Sequence, residues 1–212
     1  MISYEIAMGM SVVPVFMLAA EPSWQGELVK IDEWKRYLDG AGFLNLSSVV
    51  AYQSNGLFSW MIFKQPIAFF IFLIAIFAET NRLPFDLPES ETELVGGYHT
   101  EYSSMKFALF FLGEYAAMIA VSAMMVVLFL GGWTLPIAGV NQPADTLAMG
   151  LLQLGIFIGK LLLFMGLFIW VRWMLPRFRY DQLMDIGWKR FVPLALANIV
   201  VTAVVLYFLN AK

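Results

Sequence analysis

Long apolar stretches alternate with polar ones along this chain, and five of the apolar stretches are candidates for membrane-spanning helices. A run of about 18 or more mostly apolar residues is long enough to cross the hydrocarbon core of a bilayer. The candidate spans cover residues 2–20, 60–78, 105–130, 147–170 and 191–209. The pattern predicts an all-α, polytopic membrane protein with about five transmembrane helices, which together form a single membrane domain over residues 1–212.

Composition supports a membrane protein and limits its chemistry. Hydrophobic residues make up 60% of the chain and charged residues 14%, which is well outside the range of soluble domains. The chain has no cysteine and a single histidine, so thiolate ligation of iron–sulfur clusters and a bis-histidine haem site are excluded. We therefore expect no bound cofactor, no metal and no nucleic-acid partner, and any redox function must use electrons that a partner delivers.

The polar stretch between the second and third predicted spans, residues 79–104, is unusually acidic. Its six acids are Glu79, Asp86, Glu89, Glu91, Glu93 and Glu101. Carboxylates are costly to bury near a bilayer, and chains of acids and histidines commonly carry protons through membranes. The loop therefore favours a role in proton transfer. A local alternative is that Ser90 and Glu93 form a capping box at a helix N-terminus, which explains some of the acids but not all six.

Ionisable residues also fall inside the predicted spans. Glu5 lies near one end of the first span, where a position at the membrane interface is an equally simple interpretation. Glu114 lies roughly 12 Å deeper than Lys106 at the helical rise, so it must be neutral, paired or directed at a polar interior. A neutral, hydrogen-bonded structural glutamate is the alternative. Lys160 is expected at a similar depth on the next span, and we predict that it communicates with Glu114 directly or through water.

The remaining polar stretches indicate how the chain is oriented. Residues 172–190 hold five basic residues, and the positive-inside rule places this loop in the cytoplasm. Counting spans then puts the acidic loop on the same side and the C-terminus outside. The predicted outer loop, residues 21–59, is typical of a loop with an interfacial amphipathic helix around Trp24 and Trp34, and the alternative is a solvated loop that packs on neighbouring elements. Its basic residues run against the rule.

Three segments resemble the H-subunit family of NADH-quinone oxidoreductase, the quinone-site membrane component of respiratory complex I and the homologue of mitochondrial subunit 1. They are ETNRLPFDLPE with the later ELVGGYHTEYSSMKFALFFLGEY, LPRFRYDQLM at residues 175–184, and ISYEIAMG at residues 2–9. The family pattern has Ala where Leu83 stands and often Gly where Ser90 stands. The resemblance covers most of the chain except about residues 21–60. Members have more spans than the five predicted here, so the chain lacks the N-terminal part, as a fragment or as half of a split subunit, and its quinone channel is incomplete.

The resemblance implies a function as well as a fold. It implies a membrane subunit of a proton-translocating NADH:quinone oxidoreductase in the cell inner membrane, which forms part of the quinone chamber and of the carboxylate path that couples quinone reduction to proton translocation. Quinone is then the substrate, while NADH, FMN and iron–sulfur clusters bind to partner subunits. The implied partners are the peripheral-arm subunits of the quinone module and the small and antiporter-like membrane subunits.

The resemblance also implies residue roles. The acids expected to relay protons and to respond to quinone chemistry are Glu5, Glu79, Asp86, Glu89, Glu91, Glu93, Glu101 and Glu114. The residues expected to act electrostatically at the quinone chamber are Arg82, Arg172, Arg177 and Asp181. Within these sets, the loop acids respond to quinone, Glu5, Glu101 and Glu114 relay protons inward, and Arg82 and Arg177 hold the loop in place.

Two other functions remain open. The corresponding subunit of a proton-pumping membrane-bound hydrogenase shares the fold, and hydrogen evolution without quinone dependence would identify it. The sequence ETNRLPFDLPE favours the quinone enzyme. A stand-alone ion-transporting membrane protein is also compatible with a chain that holds no redox centre, and migration alone on a native gel would identify it.

Overall fold

The computed structural model describes residues 2–20, 45–54, 57–86, 102–135, 141, 144 and 146–210. Within these ranges the chain forms helices and connecting turns, with no strand. The α-helices are α1 (Ile2–Ala19), α2 (Leu46–Gln53), α3 (Met61–Lys64), α4 (Pro66–Glu79), α5 (Ser104–Phe129), α6 (Leu147–Met174), α7 (Tyr180–Ile186) and α8 (Val192–Asn210). A 3₁₀ turn, Leu57–Ser59, precedes α3, and a π-helical turn, Gly187–Phe191, joins α7 to α8.

Four of these helical segments are long and apolar enough to cross a membrane. They are α1, α5, α6 and the continuous helical segment Tyr180–Leu209. A fifth apolar helix, α4, has 14 residues and is therefore only about 21 Å long. The prediction of an all-helical polytopic membrane protein with about five spans is confirmed.

The second predicted span, residues 60–78, is not one continuous helix. Helix α3 ends at Lys64, Gln65 adopts φ −130° and ψ 60°, and α4 starts anew with Pro66 at its first position. Proline has no N–H to donate and restricts the residue before it. The helix is interrupted at Gln65 for that reason.

Only part of the predicted outer loop is described, and the second half of helix α2 within it is buried. The interfacial helix predicted around Trp24 and Trp34 lies outside the described residues. Helix α2 begins at Asn45, whose side chain accepts from Ser47 N at 3.2 Å, and Val49 and Gln53 are fully buried. The Gln53 amide donates to the carbonyl oxygens of Val127 and Leu128 near the end of α5. Helix α2 therefore packs against the C-terminal end of α5.

The core joins α1, α4, α5 and α6 through apolar and aromatic contacts. Ring centroids lie 5.5 Å apart for Phe72 and Phe129, and 4.4 Å apart for Phe77 and Phe168. Helix α1 packs against both α4 and α8. As a result, the first turn of α1, the last turn of α4 and the helix α7 lie at the same end of the bundle.

Candidate functional site

The three sequence segments that carry the resemblance meet at this end of the bundle. The Tyr4 hydroxyl, from α1, donates to the carbonyl oxygen of Leu183 in α7 at 2.8 Å. The Tyr4 ring lies 5.4 Å from the ring of Phe85, in the turn that follows α4. The Phe178 N–H donates to the carbonyl oxygen of Pro84 at 3.1 Å. These contacts bind residues that are far apart in sequence into one unit.

The turn after α4 brings its residues back to the bundle because of its backbone geometry. Asn81 has φ 49°, and asparagine tolerates this left-handed conformation better than most residues. The chain then reverses, so that Arg82 N donates to the carbonyl oxygen of Phe77 and Phe85 N donates to that of Arg82. This reversal brings Arg82 close to α5 and Asp86 close to the basic segment, residues 172–190.

Asp86 is buried beside an arginine from the basic segment. Its side chain is 3% exposed, and its Oδ2 lies 4.0 Å from Nη2 of Arg177. An isolated buried carboxylate would cost several kcal/mol. The position of Arg177 lowers that cost and connects the start of the acidic loop to the chain between α6 and α7.

A second ion pair joins the same turn to α5. Nη2 of Arg82 lies 3.5 Å from Oε2 of Glu114, and the Arg82 side chain is 12% exposed. The guanidinium carbon also lies 5.0 Å from the ring centroid of Tyr115. Nε and Nη2 of Arg82 are buried without a hydrogen-bond partner among the described residues, so the contact with Glu114 is an ion pair and not a hydrogen bond. Of the alternatives left open for Glu114, the structure places it in a pair.

Glu5 and Glu79 lie in the first turn of α1 and at the last residue of α4. Both side chains are exposed. Glu79 lies just beyond the predicted span 60–78. The pKa of its carboxyl is raised, mainly because the surrounding protein partly desolvates it and secondly because the negative charge of Glu5 is near. The charge of Glu5 is therefore close enough to favour the protonated form of Glu79.

The remaining predicted site residues are less closely joined to this cluster. Arg172, near the end of α6, lines an open cavity of about 650 Å³ with Leu83 and Trp173. Asp181 is 82% exposed and lies 3.5 Å from Arg179, its charge partner among the described residues. Four of the predicted acids lie outside the described residues: Glu89, Glu91, Glu93 and Glu101.

The prediction that Lys160 lies at a similar depth to Glu114 is wrong, and the two side chains are not in direct contact. The Lys160 ammonium donates to the carbonyl oxygens of Leu130 at 2.6 Å, Gly132 at 3.0 Å and Thr134 at 2.6 Å. Leu130 follows Glu114 by 16 residues, or about 24 Å along α5. The end of a helix leaves carbonyl groups without intrahelical partners, and these attract the ammonium away from Glu114.

Several polar residues that matter to the packing were not predicted from the sequence. Tyr4 is one, and a buried cluster at the helix break is another. The Gln65 amide donates to Thr202 Oγ1 at 3.0 Å, and the Asn198 amide donates to Gln65 Oε1 at 3.1 Å. Asn198 and Thr202 are four residues apart in an apolar helix, so they share a face, and that spacing was the signal available in the sequence.

The fold and the charges at one end define a class: a polytopic helical membrane protein with paired, partly buried charges where distant segments meet. Comparison with known families agrees with it. The family model described as NADH dehydrogenase matches residues 1–203, and this chain belongs to that family.

Individual relatives carry consistent names. The chain is 46% identical to an H subunit of NADH-quinone oxidoreductase from Koribacter versatilis, over 96% of this chain and 51% of the relative. It is 45% identical to the H subunit of NADH-quinone oxidoreductase from Bdellovibrio bacteriovorus, over 97% of this chain and 54% of the relative. It is 43% identical to NADH-quinone oxidoreductase subunit 8 of Rhodothermus marinus, over 96% and 55%. The chain spans about half the length of these curated relatives.

Proposed function

We propose that this chain acts as a membrane subunit of respiratory complex I, the NADH:quinone oxidoreductase. It forms part of the quinone-binding chamber and of the carboxylate path that couples quinone reduction to proton translocation. Family membership over residues 1–203 supports the class of protein. The proposed coupling rests on two ion pairs, Asp86 with Arg177 and Arg82 with Glu114. These ion pairs tie the start of the acidic loop to two other elements.

The roles of the residues follow from these pairs. Arg177 holds the start of the loop through Asp86, and Arg82 holds Glu114 of α5. A change of charge among the loop acids during quinone reduction alters the electrostatic field at Arg82, and therefore its ion pair with Glu114. The loop acids that take up the change are Glu79, Asp86, Glu89, Glu91 and Glu93, and the inward relay uses Glu5, Glu101 and Glu114. Arg172 and Asp181 complete the chamber on the side of the basic segment.

The proposed setting is the cell inner membrane, with the acidic and basic loops in the cytoplasm and the C-terminus outside. The proposed partners are the peripheral-arm subunits of the quinone module and the small and antiporter-like membrane subunits. NADH, FMN and iron–sulfur clusters bind to those partners, and quinone reaches the chamber from the bilayer.

The experiment that tests this proposal replaces Glu114 with glutamine in the assembled complex. Glu114→Gln removes the negative charge beside Arg82 and the proton-carrying group while keeping the side-chain shape. Positioned proton-transfer groups commonly contribute about 10²–10⁴-fold to a rate, so quinone reduction coupled to pumping should fall at least about tenfold. Assembly, measured on native gels, should persist.

A matched control is Asp185→Asn. Asp185 lies at the same end of the bundle, is exposed, and pairs with Lys189 at 2.8 Å on the surface. This variant should retain normal rates and normal proton stoichiometry. If Glu114→Gln also retains both, the proposed relay role of Glu114 is incorrect.

A further inference from the structure

A cavity of about 490 Å³ lies at the end of the bundle opposite to the candidate functional site. Leu18 and Leu209, in the last turns of α1 and α8, line one limit of this cavity, and Asn198 lines it deepest along α8. Asn198 and Leu209 are eleven residues apart, so the cavity extends roughly 16 Å along α8. It reaches from inside the last membrane span to the end of that span.

The floor of this cavity is the hydrogen-bonded cluster at the break between α3 and α4. Its three residues, Gln65, Asn198 and Thr202, are buried and line the cavity. The Asn198 amide donates to Gln65 Oε1, but no described residue donates a hydrogen bond to Asn198 Oδ1. A buried acceptor without a donor destabilises a fold, so this oxygen indicates a ligand that carries an O–H or N–H group.

The wall beside the floor carries a positive charge. The Lys64 ammonium donates to the Tyr52 hydroxyl at 2.8 Å and lies 4.1 Å from the centroid of its ring, and both residues line the cavity. An ammonium is strongly hydrated. Irregular backbone at membrane depth is either buried in protein or lines a water-filled cavity, and Gln65 and Pro66, where the helix is interrupted, line this one. Both features favour a polar occupant over hydrocarbon.

Water satisfies all of these groups at once. It donates to Asn198 Oδ1, and it accepts from the Lys64 ammonium or from the second N–H of the Gln65 amide. A buried water typically makes about two to four such hydrogen bonds, and the cavity has room for at least about ten molecules of ~30 Å³ each. An acyl chain in the same place would leave Asn198 Oδ1 unpaired and would desolvate Lys64.

Water in this cavity stops short of the candidate functional site, because α1, α4 and α8 close against one another between the two. Ala7, Ile71 and Ala195, one from each helix, are at most 1% exposed and pack together. Ala195 lies three residues before the floor residue of α8, on the side of the candidate site. From Gln65 to Glu79 the helix rises about 21 Å, so the apolar barrier here is thinner than the hydrocarbon core of about 30 Å.

We propose that this cavity is a water-filled vestibule that opens at the outer face of the membrane, with Gln65, Asn198 and Thr202 as its floor. It admits water into the membrane and does not conduct through it, because the apolar contact of Ala7 with its neighbours lies beyond the floor. The name of the open side rests on the orientation given under the proposed function, whereas the hydration of the vestibule does not.

The test uses single cysteines, because the chain has none of its own. Val201→Cys and Val205→Cys place a thiol in the vestibule wall. Val200→Cys and Val204→Cys are matched controls, since each lies one residue away on α8, is as exposed as its neighbour and does not line the vestibule. The assembled complex in sealed membrane vesicles is treated from one side at a time with a sulfonated maleimide. Labelled peptides of this chain are then quantified by mass spectrometry.

The two vestibule cysteines should react at least about tenfold faster than the two controls when the reagent is added at the outer side. The reagent carries a permanent charge, and moving a charge into hydrocarbon is costly. Even a small part of that cost corresponds to a tenfold difference in local concentration.

A variant of the floor tests what holds the water. Asn198→Leu, combined with Val201→Cys, removes the acceptor and should lower the labelling rate about fivefold, the factor that corresponds to one hydrogen bond. The control Val204→Cys should react slowly with or without Asn198→Leu, and native gels should show that the complex still assembles. Unchanged labelling of Val201→Cys would contradict the polar cluster as the floor.

Two other outcomes would overturn the vestibule. Equally slow labelling at all four positions would mean that lipid or protein fills the cavity. Equally fast labelling at all four would mean that this whole face of α8 lies in water. Labelling of the vestibule cysteines only from the opposite side would support hydration and contradict the proposed orientation. Because labelling is measured without turnover, these results are independent of whether Glu114 relays protons.

Discussion

Tyr4 shows how much of the candidate site depends on single side chains. It is 1% exposed and contacts each of the other two segments: its ring packs against Phe85 and Phe191, and its hydroxyl donates to the carbonyl oxygen of Leu183. The ring supplies packing that any large aromatic residue could provide. The hydroxyl supplies a directional contact between α1 and α7, so the two contributions can be separated by removing one oxygen.

Tyr4→Phe should therefore lower the stability of the protein while leaving its fold intact. The change removes the Tyr4 donor from the Leu183 carbonyl, which still accepts from the Gly187 N–H, so the expected loss is the net contribution of one hydrogen bond, about 0.5–1.5 kcal/mol. Thermal unfolding of the assembled protein in detergent measures the effect. Tyr207→Phe is the matched control, since Tyr207 is 71% exposed near the end of α8, and it should unfold like the unmodified protein. Equal midpoint temperatures of thermal unfolding for both variants would contradict a structural role for the Tyr4 hydroxyl.

Among the helices, α5 is held near its middle and at its C-terminal end by side chains from other elements. Arg82 contacts it at Glu114, while Lys160 and Gln53 bind carbonyl groups at and beyond its C-terminus. The Lys160 ammonium also lies 4.5 Å from the ring centroid of Trp60, just before α3. Lys160 therefore acts as a cap on α5 and joins that cap to the interrupted second span.

Lys160→Met should loosen the end of α5. Three carbonyl oxygens lose their charged donor, so we expect a loss of at least about 2 kcal/mol and faster amide hydrogen exchange over residues 125–134, measured by mass spectrometry. Lys106→Met, an exposed lysine in the first turn of α5, should leave exchange there unchanged. Identical exchange in the two variants would show that the cap contributes nothing.

The helices also show what a sequence can and cannot predict. Apolar length alone was enough to place α1, α5 and α6, because a bilayer demands it. Apolar length did not predict the break at Gln65, which follows from the proline at the next position. The relative depth of Lys160 and Glu114 depends on how far α6 is shifted along α5, which tertiary packing decides and residue counting does not. The meeting of Tyr4, Phe85 and Phe178 was not predicted by periodicity at all, and only the shared family resemblance of their segments hinted at it.

At the scale of the whole molecule, the first turn of α1 packs onto the π-helical turn before α8 and closes the site. Gly187 is buried against the side chains of Ser3 and Tyr4, and a Cβ at this position would clash with Ser3 Oγ and lie 3.1 Å from the Tyr4 ring. The contact brings residues 184 positions apart into register. Since there is no space for a methyl group, the glycine is required for close approach and not for an unusual backbone angle.

Gly187→Ala should therefore disturb the whole site and not only its own turn. Overpacking of this kind typically costs about 1–3 kcal/mol, and the separation of α1 from α7 should also weaken the Tyr4 hydrogen bond. Thermal unfolding measures the first effect, and the accessibility of a cysteine placed at Ser3 to a thiol reagent measures the second. Ser3→Gly, which removes the clashing atoms, should restore part of the stability of Gly187→Ala. Gly155→Ala, where a Cβ meets nothing within 4 Å, is the control and should not destabilise the protein. If Gly187→Ala is as stable as Gly155→Ala, the close docking of the first turn does not hold the site together.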